Sequence, residues 1–362
     1  MHNGHGTNVN VRISGDRSEV NAESAKGRAP SIRDVARVAE VSYQTVSRVL
    51  NDHPNIRSTT RQRVLEAIDT LGYRPNRAAR TLVTSRSHTI GVLSASRGEY
   101  GPSSSITEIE DAAREHDFSV VTANLSHASP QAIADAVEHL MHQAMEGLVV
   151  VAPQVRAFEV LAELAIGVPF VSLQSIEPND TRVHPAEQVA GARRATEHLI
   201  SLGHREIVHL AGPRDWIEAE GRMQGFLDAV IEADLRVHPP ILGDWTADFG
   251  FFAGRELARR RDFTAVFAAN DQMAIGLMHG LRDAGLDVPR AVSVVGFDDI
   301  PVAKHVWPPL TTVRQDFPAI GRRAVELLIA AMSGERTRAT TLELELVERD
   351  TTAPLHVAGA RY

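Results

Sequence analysis

The chain has 362 residues, no cysteine and a formal net charge of −8. That length accommodates two or three domains with sizeable cores, and the lack of cysteine excludes a disulfide framework and any thiolate zinc site. No run approaches the roughly eighteen apolar residues that mark a candidate membrane span.

Residues 1–29 are rich in Gly, Asn, Ser and His and hold no apolar run of signal-peptide type, so they are expected to be a disordered leader of a cytoplasmic protein. His2 and His5 read there as solvated side chains rather than metal ligands. Ser31 to Asn51 (SIRDVARVAEVSYQTVSRVLN) then holds two short amphipathic helical patterns joined by a tight turn. Ser31 with Asp34 is an N-cap followed by an acid at N3. Val35, Ala36 and Ala39 make one apolar face, Val41 sits in the turn, and Ser42 caps a second helix with Val46, Val49 and Leu50 inward. Its outer face carries Tyr43, Gln44, Ser47 and Arg48, with Thr45 and Asn51 beside it. So small a core under a donor-rich face suits a helix-turn-helix DNA reader, although an ordinary helical hairpin has the same pattern. Arg57 to Gly72 is a third amphipathic helix, with Val64, Leu65, Ile68 and Leu71 expected inward.

Beyond Gly72 come YRPNRAARTL at 73–82 and later LAGP, ANDQMAIG, SVVGFDD and PPLTTVRQDF. Together with DVA…VSYQTVSRVLN, these ordered blocks resemble the LacI/GalR family of bacterial transcription regulators over about Ser31 to Thr352. The implied fold is an α-helical helix-turn-helix head joined to an α/β, periplasmic-binding-protein-like body with two lobes built on parallel sheets. The expected divisions are a head at 30–75, a hinge helix and linker at 76–87, and a regulatory domain at 88–355. Within that domain the first lobe covers about 88–186 and 315–344, the second about 187–314 and 345–355, and a tail follows at 356–362.

Charge agrees without needing the resemblance. Arg28 to Arg86 holds eleven arginines and no lysine against five acids, a net +6, whereas residues 87–362 carry −14. A basic head on an acidic body concentrates phosphate attraction in one small domain. A charge run is more often a plain solvated face, but segregation this clean favours DNA.

For the head, the resemblance implies that Tyr43 and Gln44 reach base edges in the major groove. Gln suits the adenine edge, and Arg48 can pair bidentately with guanine. Ser42, Thr45, Ser47, Asn51 and Thr60 complete the contact surface, the hydroxyl and amide side chains mostly as phosphate contacts. Glu40 stands where the family's turn usually has Gly, a residue suited to positive φ. In the hinge, Asn76, Ala79 and Leu82 match the family's minor-groove segment, with Leu82 as the apolar wedge. An ordinary linker with Leu82 packed on the body is the plain alternative.

From His88 the pattern alternates strand and helix: strands at about 88–93, 119–122, 147–151, 169–173, 206–210, 265–268 and 292–296, with a first body helix from about Ser104 to His116. Parallel sheets of this kind bind ligands beyond the strands' carboxyl ends. By family match, Arg222, Asn270 and Asp298 hold ligand hydroxyls, while Trp245 and Phe317 give apolar contact. Pro102 and Ser105 are weaker candidates. Gln174, Trp216 and Glu218 depart from the family's lactose-type pocket and imply a different or larger sugar. Taken singly, each has a structural reading: Asp and Asn favour turns and caps, and Trp favours cores.

No enzyme is expected. There is no nucleophile elbow, phosphate loop or dense metal-ligand cluster, His184 reads as a solvated loop residue, and Asp298 and Asp299 are adjacent and so expected to diverge. No cofactor and no metal is expected. The partners are double-stranded operator DNA, a small sugar effector and a second copy of the chain, with no membrane. The tail lacks the leucine heptads of a tetramerising coiled coil, which favours a homodimer. A corepressor-dependent regulator with a purine ligand and a sugar carrier with no DNA role are the alternatives.

Overall fold

The structure, a computed structural model, describes residues 30–50, 53–74, 86–95, 99–125, 129–151, 154–164, 166–173, 186–335, 337–338 and 340–355. The leader, Asn51, the hinge residues Asn76, Ala79 and Leu82, Gln174, His184 and the tail lie outside them. The chain divides after Arg86 into two compact units, each considered on its own below.

The first unit has three helices, α1 (Ile32–Val38), α2 (Tyr43–Leu50) and α3 (Ser58–Leu71). The Asp34 carboxylate accepts from the Ser31 backbone N–H at 3.0 Å and from its hydroxyl at 2.7 Å, which closes the start of α1. The turn into α2 is made by Glu40 at φ 51°, with the Val41 N–H on the Ala36 carbonyl at 3.0 Å. The backbone therefore has the left-handed form that the glutamate at this position put in question. Ser42 Oγ accepts from the Thr45 N–H at 3.1 Å and caps α2. Val35, Ala36, Ala39, Val46, Val49, Val64 and Ala67 form the core, with Val41, Leu50, Ile68 and Leu71 half-buried around it. One expectation fails here: Leu65 is 45% exposed, and Ala67 takes the inward position. Val64, Ala67, Ile68 and Leu71 make the i, i+3, i+4, i+7 stripe that meets α1 and α2, and Leu65 stands one helical step to its side.

The second unit is two α/β lobes. In the first, β1 (Thr89–Ser94), β2 (Ser119–Asn124), β3 (Gly147–Val151) and β4 (Phe170–Ser172) form a parallel sheet in the order β2-β1-β3-β4. Side chains alternate: Leu148 and Val150 of β3 face α5 (Pro130–His142) and α6 (Val155–Glu163), while Val149 and Val151 face α4 (Tyr100–Glu115). Helix α4 starts at Tyr100, earlier than expected, because Pro102 fits a first turn where its missing N–H has no helical partner to lose.

In the second lobe the sheet order is β10-β9-β8-β7-β5-β6, parallel except for the edge strand β10 (Glu345–Val347). The other strands are β5 (Ile207–Ala211), β6 (Ile241–Leu242), β7 (Ala265–Ala268), β8 (Ser293–Asp298) and β9 (Thr311–Arg314). One face is covered by α7 (Ala186–Ser201) and α8 (Ile217–Glu232), the other by α9 (Ala247–Arg260) and α10 (Asp271–Asp283). Helices α9 and α10 touch backbone to backbone: a Cβ on Gly276 would lie 1.8 Å from the Ala247 carbonyl oxygen, and one on Gly250 2.2 Å from that of Met273. After β9 the chain re-enters the first lobe as α11 (Phe317–Met332), which packs on α4 and β3. In both sheets the strand order reverses beside the first strand, which opens a crevice at the carboxyl ends.

Candidate functional site

The head presents Ser42, Tyr43, Gln44 and Arg48 exposed on the outer face of α2, with Tyr43 57% accessible. Thr45 and Ser47 on α2 and Thr60 in the first turn of α3 are partly covered. Apolar residues turn inward at helical spacing, so the polar side chains gather on the opposite face.

The body's candidates converge on one cavity between the lobes. It is lined by Pro102 and Ser105 of α4, Trp216, Glu218 and Arg222 at the start of α8, Trp245 after β6, Asn270 after β7, Asp298 at the end of β8, and Phe317 of α11. Each strand that contributes does so at its carboxyl end, where a doubly wound sheet places its ligands.

Arg222 and Asp298 form the buried centre. The guanidinium stands 3.2 Å from Asp298 Oδ1, donates from Nε to Gln188 Oε1 at 2.9 Å and from Nη1 to the Ala269 carbonyl, and lies 3.9 Å over the Phe297 ring. Gln188 Nε2 donates to Gln315 Oε1 at 2.8 Å, and Gln315 Nε2 donates to Asp298 Oδ1 at 2.7 Å. The four side chains close a ring. Burial pushes the Asp298 carboxyl up and the Arg222 guanidinium down, and their mutual attraction opposes both shifts. Two donors on one carboxylate oxygen suit the ionised acid.

Asn270 combines the structural and the site reading. Its Oδ1 caps α10 by accepting from the Met273 N–H at 2.9 Å, and its Nδ2 donates to the Trp245 carbonyl at 3.0 Å. Asp271 points away from the cavity and braces β9 and the turn after β8, accepting from the Ile300 N–H at 2.8 Å and the Thr312 hydroxyl at 2.5 Å. Burial raises its pKa well above the usual carboxylate range. Asp299 turns outward to Arg314 at 2.8 Å and Arg349 at 2.6 Å, so the neighbouring acids do diverge.

Two of the cavity's residues, Trp245 and Asp298, have positive φ, at 72° and 109°, and Asp215 and Asp299, at 65° and 55°, stand next to lining residues in the chain. Such conformations persist where surrounding contacts over-determine them, and they cluster at ligand sites. Sequence reasoning missed Tyr100, Glu187, Gln188 and Arg323, which also line the cavity, and used position 315 only as the start of the first lobe's second segment. Arg323 of α11 pairs with Glu187 of α7 and donates to the Leu173 carbonyl at 2.8 Å, a link between lobes. No local motif marks these residues, and the contacts that tie Gln188 to Gln315 and Glu187 to Arg323 span 127 and 136 positions.

Two family models match the regions that carry these features: bacterial regulatory proteins of the lacI family at residues 31–76, and the periplasmic binding protein-like domain at 196–352. The lactose operon repressor of Escherichia coli (strain K12) is 34% identical over 327 residues, which cover 89% of this chain and 90% of that protein. The chain belongs to the LacI family. Its fold is likewise similar to the crystal structure of the lac repressor dimer bound to operator and the anti-inducer ONPF, at TM-score 0.79 and 33% identity, covering 90% of this chain and all of that one. A transcriptional regulator CelR–cellobiose complex matches at TM-score 0.65 and 31% identity, over 89% and 99% of the two chains. As a LacI-family member the chain is a helix-turn-helix DNA-binding transcriptional repressor with an effector-binding domain, in a family of regulators rather than enzymes. No helix among the described residues is long and apolar enough to cross a membrane.

Proposed function

We propose that the protein is a homodimeric repressor of carbohydrate-utilisation genes that a sugar releases from a pseudo-palindromic operator. The observation that carries this reading is the convergence of Arg222, Asn270 and Asp298 with Trp245 and Phe317 in one cavity between two lobes. Amide, carboxylate and guanidinium groups bond hydroxyls, while ring faces take the C–H surface of a pyranose. Tyr43, Gln44 and Arg48 would read bases, Ser42, Thr45, Ser47, Asn51 and Thr60 would complete the contacts, and the hinge with Asn76, Ala79 and Leu82 would grip the operator centre. Support for a second copy comes from Trp307, 81% exposed on the second lobe, and from the dimeric state of the lac repressor.

Sugar bound between the lobes would favour one lobe arrangement over another and so bias the head's grip on DNA. Coupling is reciprocal, so operator must weaken sugar binding by the same factor. The test is titration of a labelled lac-type palindrome at fixed salt, with and without galactosides, glucosides and purines. Release by a sugar is the expected result. Tightening by a purine would overturn induction in favour of corepression.

A further inference from the structure

The cavity's aromatic walls narrow the ligand, an inference that rests on the sugar reading above. Each lobe contributes one edge-to-face pair. Tyr100 and Phe317 of the first lobe have centroids 5.6 Å apart and planes at 78°; Trp216 and Trp245 of the second are 5.5 Å apart at 60°. All four line the same cavity. An occupant that meets rings supplied by both lobes is best served by apolar surface on both of its faces. A pyranose whose ring hydroxyls are all equatorial meets that demand, because axial C–H bonds cover each face. An axial hydroxyl, as at C4 of galactose, puts an oxygen on one face, where an aromatic wall offers it no hydrogen bond.

Charge and tilt narrow the ligand further. Both guanidinium groups among the described lining residues already face carboxylates of the same lining, Arg222 with Asp298 and Arg323 with Glu187. A sugar phosphate or sugar acid would have to compete with those carboxylates for its counter-charge. A planar base fits best between parallel faces, whereas these steeply tilted pairs offer corners that suit a puckered ring. Trp245 also keeps its indole N–H buried with no acceptor among the described residues, a donor for a ligand oxygen. Of the two aromatics not fully buried, Trp216 sits on the lobe junction: it precedes α8 and its backbone bridges to Gln154 of the first lobe.

We propose that the cleft selects an uncharged, gluco-configured saccharide over its C4 epimer, and that Trp216 sets the preference. Cellobiose and lactose are suitable probes, since these β-1,4 disaccharides differ only at C4 of the non-reducing ring. Calorimetric titration of the full chain should show cellobiose binding at least about tenfold tighter, the cost of one desolvated hydroxyl left without a partner. Trp216→Ala should bring the ratio close to one and Trp216→Phe should keep most of it, with a far-UV circular dichroism spectrum and a urea midpoint matching the parent as the check on folding. Equal or tighter binding of lactose, or a ratio untouched in Trp216→Ala, overturns this inference and leaves the sugar reading standing. If neither disaccharide nor either parent hexose binds, the sugar reading itself falls.

Discussion

The head and the cleft use polar side chains in opposite ways. On the head, Tyr43, Gln44 and Arg48 stand in solvent on a helix whose stability comes from Val46 and Val49 beneath it. In the cleft, Arg222, Asp298, Gln188 and Gln315 are buried and already bonded to one another. A residue of the first kind can change with little effect on folding, because water replaces whatever it loses. A residue of the second kind cannot, because a buried charge left alone has no such substitute. The surface that reads a partner is thus separable from the fold, and the chamber that holds a ligand is part of it.

The sharpest way to break that contrast is Asp298→Asn. It keeps the shape but takes from buried Arg222 its paired counter-charge, the strongest of the acids acting on it, and should lower stability by about 3–5 kcal/mol in urea denaturation of the body. A midpoint equal to that of the parent would show that the ring is not a structural unit. The head should behave otherwise. Gln44→Ala is expected to cost roughly 1–3 kcal/mol of operator affinity in a binding titration, with the melting temperature of the head unchanged. Loss of stability alongside affinity would mean that this face is not independent of the core.

Burial has a pH signature as well. His209 of β5 is enclosed between Phe226 and Phe267, at centroid distances of 5.0 and 4.8 Å, and Nδ1 donates to the Phe267 carbonyl at 3.0 Å. Burial pushes its pKa down to about 4. The unfolded chain takes up the proton near pH 6.5 while the folded one refuses it, so stability present above that pH is lost as pH falls toward 4. Between pH 7 and 5 this amounts to about 2 kcal/mol. His209→Phe keeps an aromatic stack and should shrink the stability difference between those two pH values by that amount; an unaltered difference would assign the pH dependence elsewhere. The smallest effect is expected on the head: Glu40→Gly relieves a left-handed residue at φ 51° and should raise its stability by about 1 kcal/mol, read as a higher thermal midpoint.

These differences also explain what was legible in the chain. Helix-period spacing, the Ser31–Asp34 cap and alternating strands are local signals, and the head and both sheets follow from them with small shifts of boundary. Leu65 was misplaced because it stands one helical step beside the stripe that meets α1 and α2. In the cleft, the family blocks marked Arg222, Asn270 and Asp298, yet nothing near Gln188 announces a bond to Gln315, 127 positions away. Adjacent strands are short, and the edge strands β6 and β10, of two and three residues, carry too little pattern to be read at all.

The seam of glycines between α9 and α10 has a mechanical consequence. Trp245 lies just ahead of α9 and Asn270 just ahead of α10, and the two residues are hydrogen-bonded to each other. With backbones in contact at Gly250 and Gly276, the helices behind them cannot slide or tilt without collision. That side of the chamber is consequently stiff. An occupant of the wrong shape will not be accommodated there by yielding, and any fitting falls to the other walls of the chamber.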